Sequence, residues 1–324
     1  MIRTSAGVDR AAPPPHPTDI PDRSWIDAVP LAAARPYLRL MRLDRPIGVW
    51  LLVFPCWWSV CLAGIANDSP MPDLWLMVLF LVGAVVMRGC GCAYNDYVDR
   101  DIDAKVARTA TRPIPSGAVT PFQALAFAII LGWVGFVVLI QFNWVTIAVG
   151  TGSLVFVAIY PFMKRLTDWP QLVLGIAFNW GALVGWTAVN ASLDWPPVLL
   201  FLGSVMWTVG YDTIYAHQDR EDDRALGLKS TALRFGAYTR IWVGGFYAAA
   251  VLLWLAAGLL AGTHVAYGVA IALVAAHFVW QVATLDMSDA KNCLHRFRAN
   301  RDVGILLLLG LIADMLLSSS AGSG

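Results

Sequence analysis

The sequence predicts an all-α integral membrane protein of nine transmembrane helices, with its N-terminus in the cytoplasm and its C-terminus outside. Three observations carry that expectation. Of 324 residues, 58% are hydrophobic, only 14% are charged and 15 are Trp, a composition outside the range of soluble domains. Runs of roughly 20 mainly apolar residues recur along the chain, each long enough to cross a hydrocarbon core of about 30 Å. The 23 Lys and Arg all fall on one side when those runs are taken as alternating crossings, and the positive-inside rule makes that side the cytoplasm.

In chain order, residues 1–34 open with "MIRTSAGVDRAAPPPHPTDIPDRSWIDAVP", whose Pro and small polar residues cannot bury enough apolar surface to order the segment. It is expected to be a flexible arm. No apolar h-region is present, so a cleavable secretory signal is excluded, while the basic character keeps organelle targeting as a minor reading. "LAAARPYLRLMRLDRP" then brings Arg35, Arg39, Arg42 and Arg45 at helical spacing, suited to an amphipathic helix in the cytoplasmic interface. Within the main domain, 35–318, the spans fall at about 47–67, 72–93, 122–142, 144–163, 171–190, 196–216, 240–262, 265–285 and 302–318. A short polar tail, 319–324, follows. Only Gln141, Phe142 and Asn143 separate the third and fourth spans, yet the charge alternation requires a crossing in each. The outer connections near 68–71, 143, 191–195 and 263 carry no Lys or Arg, and Arg88 marks the inner end of the second span.

The five cysteines include no C-x-x-C pair, and "GCGC" suits close packing of small residues between helices. The five histidines are scattered, which disfavours zinc or haem chemistry. Pairs such as Gly181 and Gly185 suit packing within a bundle or between chains.

The carboxylates are concentrated in two places. "NDYVDRDID" follows the second span and "YDTIYAHQDREDD" follows the sixth. Aligned by spacing they give Asn95-x-x-x-Asp99-Arg-x-x-Asp103 and Tyr215-x-x-x-Asp219-Arg-x-x-Asp223, an internal echo offset by 120 residues, or four spans. At a spacing of four on a helix end, each pair of aspartates faces one way. Like charges so close need a cation between them, and hard oxygen ligands suit magnesium shared with substrate phosphates. A single such pair is often a solvated helix end; two at equivalent positions, each followed by basic residues, point to a site. Arg45, Arg108, Arg112, Lys164, Arg165 and Lys229 are candidate anion binders around it. Together these features describe a diphosphate site at the mouth of an apolar bundle, and a polyprenyl diphosphate, polar at its head and greasy in its tail, fits both demands.

At these motifs the sequence resembles the UbiA superfamily of membrane-embedded aromatic prenyltransferases. "RLDRPIGVWLLVFPCWW" and "YPFMKRLTDWPQLVLG" narrow the resemblance to the 4-hydroxybenzoate polyprenyltransferases of ubiquinone biosynthesis, from about Arg35 to about Leu317. The resemblance implies nine helices around a central cavity with a lateral opening to lipid. It implies Asn95, Asp99, Asp103, Asp219 and Asp223 as ligands of two Mg2+ ions on the diphosphate, Tyr215 in the same cavity, and Arg45, Lys164 and Lys229 as diphosphate contacts. An arginine should hold the carboxylate of 4-hydroxybenzoate; Arg100 and Arg112 are the expected candidates. The implied reaction is Mg-dependent transfer of the polyprenyl group to the ring carbon ortho to the acceptor hydroxyl, in a bacterial inner (plasma) membrane, with the mitochondrial inner membrane as second reading. Other aromatic acceptors, such as dihydroxynaphthoate or homogentisate, are the nearest alternative. A transporter is the rival from another class, but the acids lie at span ends and, apart from Asp314, no acidic relay crosses the apolar core. Nothing points to nucleic acid or to an obligate protein partner.

Overall fold

The computed structural model describes residues 23–106 and 109–321, the last three as backbone only. Among these residues there is no strand. A short helix α1 (Arg35–Leu40) leads into α2 (Ile47–Ala66), α3 (Leu74–Asp103), α4 (Pro121–Leu139), α5 (Trp144–Gly152), α6 (Leu154–Leu166), α7 (Pro170–Asn179), α8 (Gly181–Asn190), α9 (Trp195–Ala216), α10 (Arg220–Ala225), α11 (Thr231–Phe235), α12 (Thr239–Ala261), α13 (Val265–Ala283) and α14 (Ala290–Ala321). Eight helical segments among the described residues are long and apolar enough to cross a membrane, with α5–α6 and α7–α8 each forming one crossing. The ninth expected span, 302–318, falls inside α14.

In lipid, burial of apolar surface does not drive helices together, so close packing and interhelical hydrogen bonds must. One side of the bundle supplies both. There α2, α9, α12, α13 and α14 enclose Trp58, Trp207, Trp254, Tyr211, Tyr247 and Tyr267, all essentially without exposure. Trp207 Nε1 donates to Asn300 Oδ1 at 2.7 Å, and Tyr247 Oη donates to Gln281 Oε1 at 3.1 Å, tying four helices through polar atoms. Asn300 Nδ2 also donates to Gln281 Oε1 at 3.2 Å. At the end of the bundle away from the acidic motifs, the buried Asp314 carboxylate of α14 accepts from the backbone N–H groups of His264 at 2.6 Å and Tyr267 at 3.2 Å, capping α13. The Gly181 and Gly185 pair packs inside the bundle: a Cβ at Gly181 would meet Cys56 Sγ at 2.3 Å, and one at Gly185 would meet the Cys56 carbonyl at 2.6 Å.

Several expectations need correction. The second span does not stop near residue 93: α3 continues to Asp103, because no Gly or Pro between Ala93 and Asp103 interrupts it. The first acidic motif therefore lies on the last turns of α3, the helix end that its spacing predicted. Residues 23–34 are not a flexible arm. Ser24 caps a 3-10 turn (Trp25–Ala28), Ile26 is fully buried, and Trp25 Nε1 donates to the Leu43 carbonyl at 3.1 Å; residues 1–22 lie outside those described. The amphipathic segment does not keep its arginines together at the surface. Arg39 pairs with Asp27, but Arg42, in a left-handed conformation at φ 61°, ends α1 with a reversal that sends its side chain inward to Asp96. The fourth span breaks at Ser153, where Gly150, Gly152 and a serine whose hydroxyl donates to the Gly150 carbonyl at 2.7 Å weaken the helix.

Candidate active site

The acidic motifs come together at one end of the bundle. On α3, Asn95, Asp99 and Asp103 follow each other every four residues and line one polar cavity of about 210 Å³; Asp219, Asp222 and Asp223 line its other wall. The second motif is not continuous helix. After α9 the chain tightens into a 3-10 turn (His217–Asp219) before α10 begins, so Asp219 precedes the turn of helix that carries Asp223. The two aspartates nevertheless line the same cavity.

Cationic side chains surround the first motif. Lys164 Nζ donates to Asp99 Oδ2 at 2.5 Å, Arg165 Nη2 donates to Asp99 Oδ1 at 3.0 Å, and Asn95 Nδ2 donates to Asp99 Oδ2 at 3.2 Å. Arg112 Nη1 donates to Asp103 Oδ2 at 2.6 Å and to Asp96 Oδ1 at 3.3 Å. Asp96, with no exposure, also accepts from Arg42 Nη2 at 2.6 Å. Lys164 belongs to the last turn of α6, and the backbone N–H of Lys229 donates to the Lys164 carbonyl at 2.8 Å, which docks the loop after α10 onto α6. Both lysines line the polar cavity.

Behind this mouth lies a larger cavity of about 570 Å³, walled mostly by apolar side chains of α2 to α8. The two cavities share Asn95, Arg112, Tyr160, Pro161, Asp212 and Tyr215, so they meet at that ring of residues. Tyr215 lies against Phe297 with ring centroids 4.6 Å apart. Arg45 lines the larger cavity, 3.6 Å from Asp44.

The placement of the expected residues is therefore uneven. Asn95, Asp99, Asp103, Asp219, Asp223, Lys164, Lys229, Arg112 and Tyr215 converge on the mouth, and Arg45 stands in the larger cavity. Arg100 is not brought in. One residue beyond Asp99, it points about 100° away around the helix, donates to the Tyr97 carbonyl at 2.8 Å and lies over the Tyr97 ring. Arg108 lies outside the described residues. Asp212, Tyr160, Arg42 and Arg88 are additional polar wall residues. A lone charged residue inside an apolar span is the signal that could have found Arg88 and Asp212.

The donor set suits a hard divalent cation. Among the described residues no three His, Cys, Asp or Glu side chains are grouped closely enough to hold an ion by themselves. Asn95, Asp99, Asp103, Asp219 and Asp223 instead offer oxygens from two walls, and the carboxylates of Asp99 and Asp103 already attract cationic side chains. That arrangement fits an ion completed by phosphate oxygens rather than an all-protein cage.

A helical membrane bundle with paired acidic segments at the mouth of an apolar cavity defines a class, and the sequence confirms it. The model of the UbiA prenyltransferase family matches residues 52–308, and the chain belongs to that family. Its relatives include the mitochondrial 4-hydroxybenzoate polyprenyltransferases of Drosophila melanogaster, 48% identical across 89% of this chain and 74% of the relative, and of Homo sapiens, 47% identical across 90% and 78%. Among solved structures, a UbiA homolog from Aeropyrum pernix K1 superposes with a TM-score of 0.68 at 28% identity, covering 82% of this chain and 98% of that one. A UbiA homolog from Archaeoglobus fulgidus bound to GPP and Mg2+ shares the fold, with a TM-score of 0.63 at 18% identity over 88% and 99%.

Proposed function

We propose that this protein transfers the polyprenyl group of a polyprenyl diphosphate to the ring carbon ortho to the hydroxyl of 4-hydroxybenzoate, in a Mg-dependent membrane step of ubiquinone biosynthesis. The carrying observation is the junction of a polar, acid-lined mouth with an apolar cavity. The mouth suits a diphosphate, the cavity suits a tail and an aromatic ring, and the shared ring of residues is where the two would react. The names of the relatives, at 47 to 48% identity, support the acceptor.

In this reading Asn95, Asp99, Asp103, Asp219 and Asp223 hold two Mg2+ ions, which when bound neutralise charge developing on the departing diphosphate. Lys164, Lys229, Arg112 and Arg45 add positive charge around the same oxygens. The bond between the prenyl carbon and diphosphate oxygen breaks with its electron pair going to the diphosphate. The ring carbon forms the new C–C bond, and the ring proton passes to the diphosphate. The apolar walls keep water from the allylic cation, with the Tyr215 and Phe297 rings beside its path.

The orientation expected from the Lys and Arg distribution, with nine crossings and the acidic mouth in the cytoplasm or matrix, belongs to this proposal. The relatives are mitochondrial by name, which supports a mitochondrial membrane; the expected bacterial inner membrane gains no support from them. The test of the activity is purified protein in lipid nanodiscs with Mg2+, a polyprenyl diphosphate and a panel of aromatic acids, with products identified by mass spectrometry. A C-prenylated 4-hydroxybenzoate is the expected product, and preference for another ring acid would reassign the acceptor.

A further inference from the structure

Position 42 holds an arginine where the backbone favours glycine. Helix α1 closes with the N–H of Arg42 donating to the Arg39 carbonyl at 3.0 Å and that of Leu43 donating to the Leu38 carbonyl at 3.2 Å, the pair of bonds made when the residue after the helix cap turns left-handed. Arg42 adopts that conformation, with φ 61°. A side chain strains the backbone there, so the strain persists only where the side chain returns more than it costs.

The return lies inside the bundle. Arg42 Nη2 and Arg112 Nη1 both donate to Asp96 Oδ1, at 2.6 and 3.3 Å, and Arg112 Nη1 also donates to Asp103 Oδ2 at 2.6 Å. Four charges thus alternate from the α1–α2 turn to the acidic mouth: Arg42, Asp96, Arg112, Asp103. The inner acid is the more demanding of the two. The Asp96 side chain has 0% exposure against 6% for Asp103, and Asp96 Oδ2 is buried without a hydrogen-bond partner among the described residues. A carboxylate so deep is costly without a cation. If Arg42 were absent, one guanidinium would serve two acids, and Asp96, with both oxygens open, would take the planar fork of Arg112 in a two-bond grip. Arg112 lines both cavities, whereas Arg42 and Asp96 line only the larger one. The polar mouth would therefore lose its arginine.

We propose that Arg42 is a positioning residue: by neutralising Asp96 it keeps Arg112 at the mouth, where the diphosphate head of the prenyl donor binds. This rests on the prenyl-transfer reading and adds to it a residue from outside both acidic motifs.

The test uses the full-length protein in nanodiscs with Mg2+, comparing wild type with Arg42→Gly, Arg42→Lys and the double variant Arg42→Gly with Asp96→Asn. Glycine suits the left-handed turn, and Trp25 still clamps that turn through the Leu43 carbonyl, so Arg42→Gly removes the guanidinium and spares the backbone. Binding of a polyprenyl diphosphate is titrated without acceptor, and Michaelis constants are then measured for both substrates. Displacing a charged donor should weaken diphosphate binding by about 10- to 100-fold in Arg42→Gly, with the constant for the aromatic acid within about 2-fold of wild type. Arg42→Lys should keep most of the affinity, because Asp96 retains a cation. The double variant should return to within about 3-fold of wild type, since no buried anion remains to draw Arg112 away. Should Arg42→Gly fail to fold, the double variant decides alone, and it should fold and bind in that same range. Unchanged diphosphate affinity in folded Arg42→Gly overturns the proposal, as does a loss that Asp96→Asn does not restore or an equal loss for both substrates. A wild-type protein that binds no polyprenyl diphosphate would instead sink the functional reading itself.

Discussion

The two sides of the bundle solve opposite problems with the same helices. On the α2, α9, α12, α13 and α14 side, Trp and Tyr rings fill the space and their polar atoms find partners on neighbouring helices, as in the Trp207–Asn300 bond. On the α3 to α8 side the interior is left open. The segment Trp144–Leu166 has only 11% of its apolar window buried, against 78% for α2. Many large side chains there, such as Trp133, Val155 and Leu166, face outward, and others line the cavity. Stability is thus concentrated in one wall, and the other wall is freed to hold substrates. Removing a ring from the first should cost fold, and removing a charge from the second should cost chemistry.

The largest expected effect breaks the packed side. Trp207→Ala removes a fully buried ring and strands Asn300, so unfolding in mild detergent should become easier by about 3 to 5 kcal/mol. Turnover per folded molecule should stay near normal; a turnover defect without a stability loss would merge the two sides. Next comes the open side. Asp99→Asn or Asp219→Asn keeps shape but removes a hard anionic ligand, and turnover should fall at least ~100-fold with helical content unchanged by circular dichroism. Chelation of Mg2+ should abolish activity reversibly. Near-normal turnover in both mutants would reduce the acids to surface charge. Breaking the polar tie with Asn300→Ala should cost about 1 to 3 kcal/mol of stability, since Trp207 and Gln281 each lose a partner. The smallest effect is expected from Arg100→Ala, under about 2-fold in either Michaelis constant, because its ion pair with Asp101 is loose and exposed. Orientation is tested separately: a cysteine probe at Ala104 or Ala225 should resist labelling by an impermeant reagent added from the side opposite the cytoplasm or matrix.

The acidic mouth was legible because its signal is redundant. Asp99 and Asp103, and Asp219 and Asp223, are short-range patterns repeated at matching span ends, and Lys164, which meets Asp99, also ends an apolar segment. Single residues were harder. Arg88 was indistinguishable from a marker of the membrane's inner face until it was seen to line the larger cavity. Arg42 and Arg45 belong to the same arginine series as Arg35 and Arg39, and only the left-handed turn at Arg42 separates those that enter the cavity from those that do not. The break at Trp180 gave no clear signal either, because both halves of that crossing are apolar and the break contains no proline; the break at Ser153 has only the weak signal of Gly150, Gly152 and the serine itself.

Asp314 has a consequence for the order in which the chain assembles. Two N–H groups at the start of α13 are satisfied by a carboxylate that is synthesised about fifty residues later. Helix-end amides without an acceptor are costly where water is excluded, so the α12–α13 hairpin forms before these N–H groups have that partner. Only arrival of α14 completes it. The last helix thus acts as a clasp on its predecessor, and a ribosome that stops short of codon 314 releases a bundle whose penultimate helix has nothing to close it.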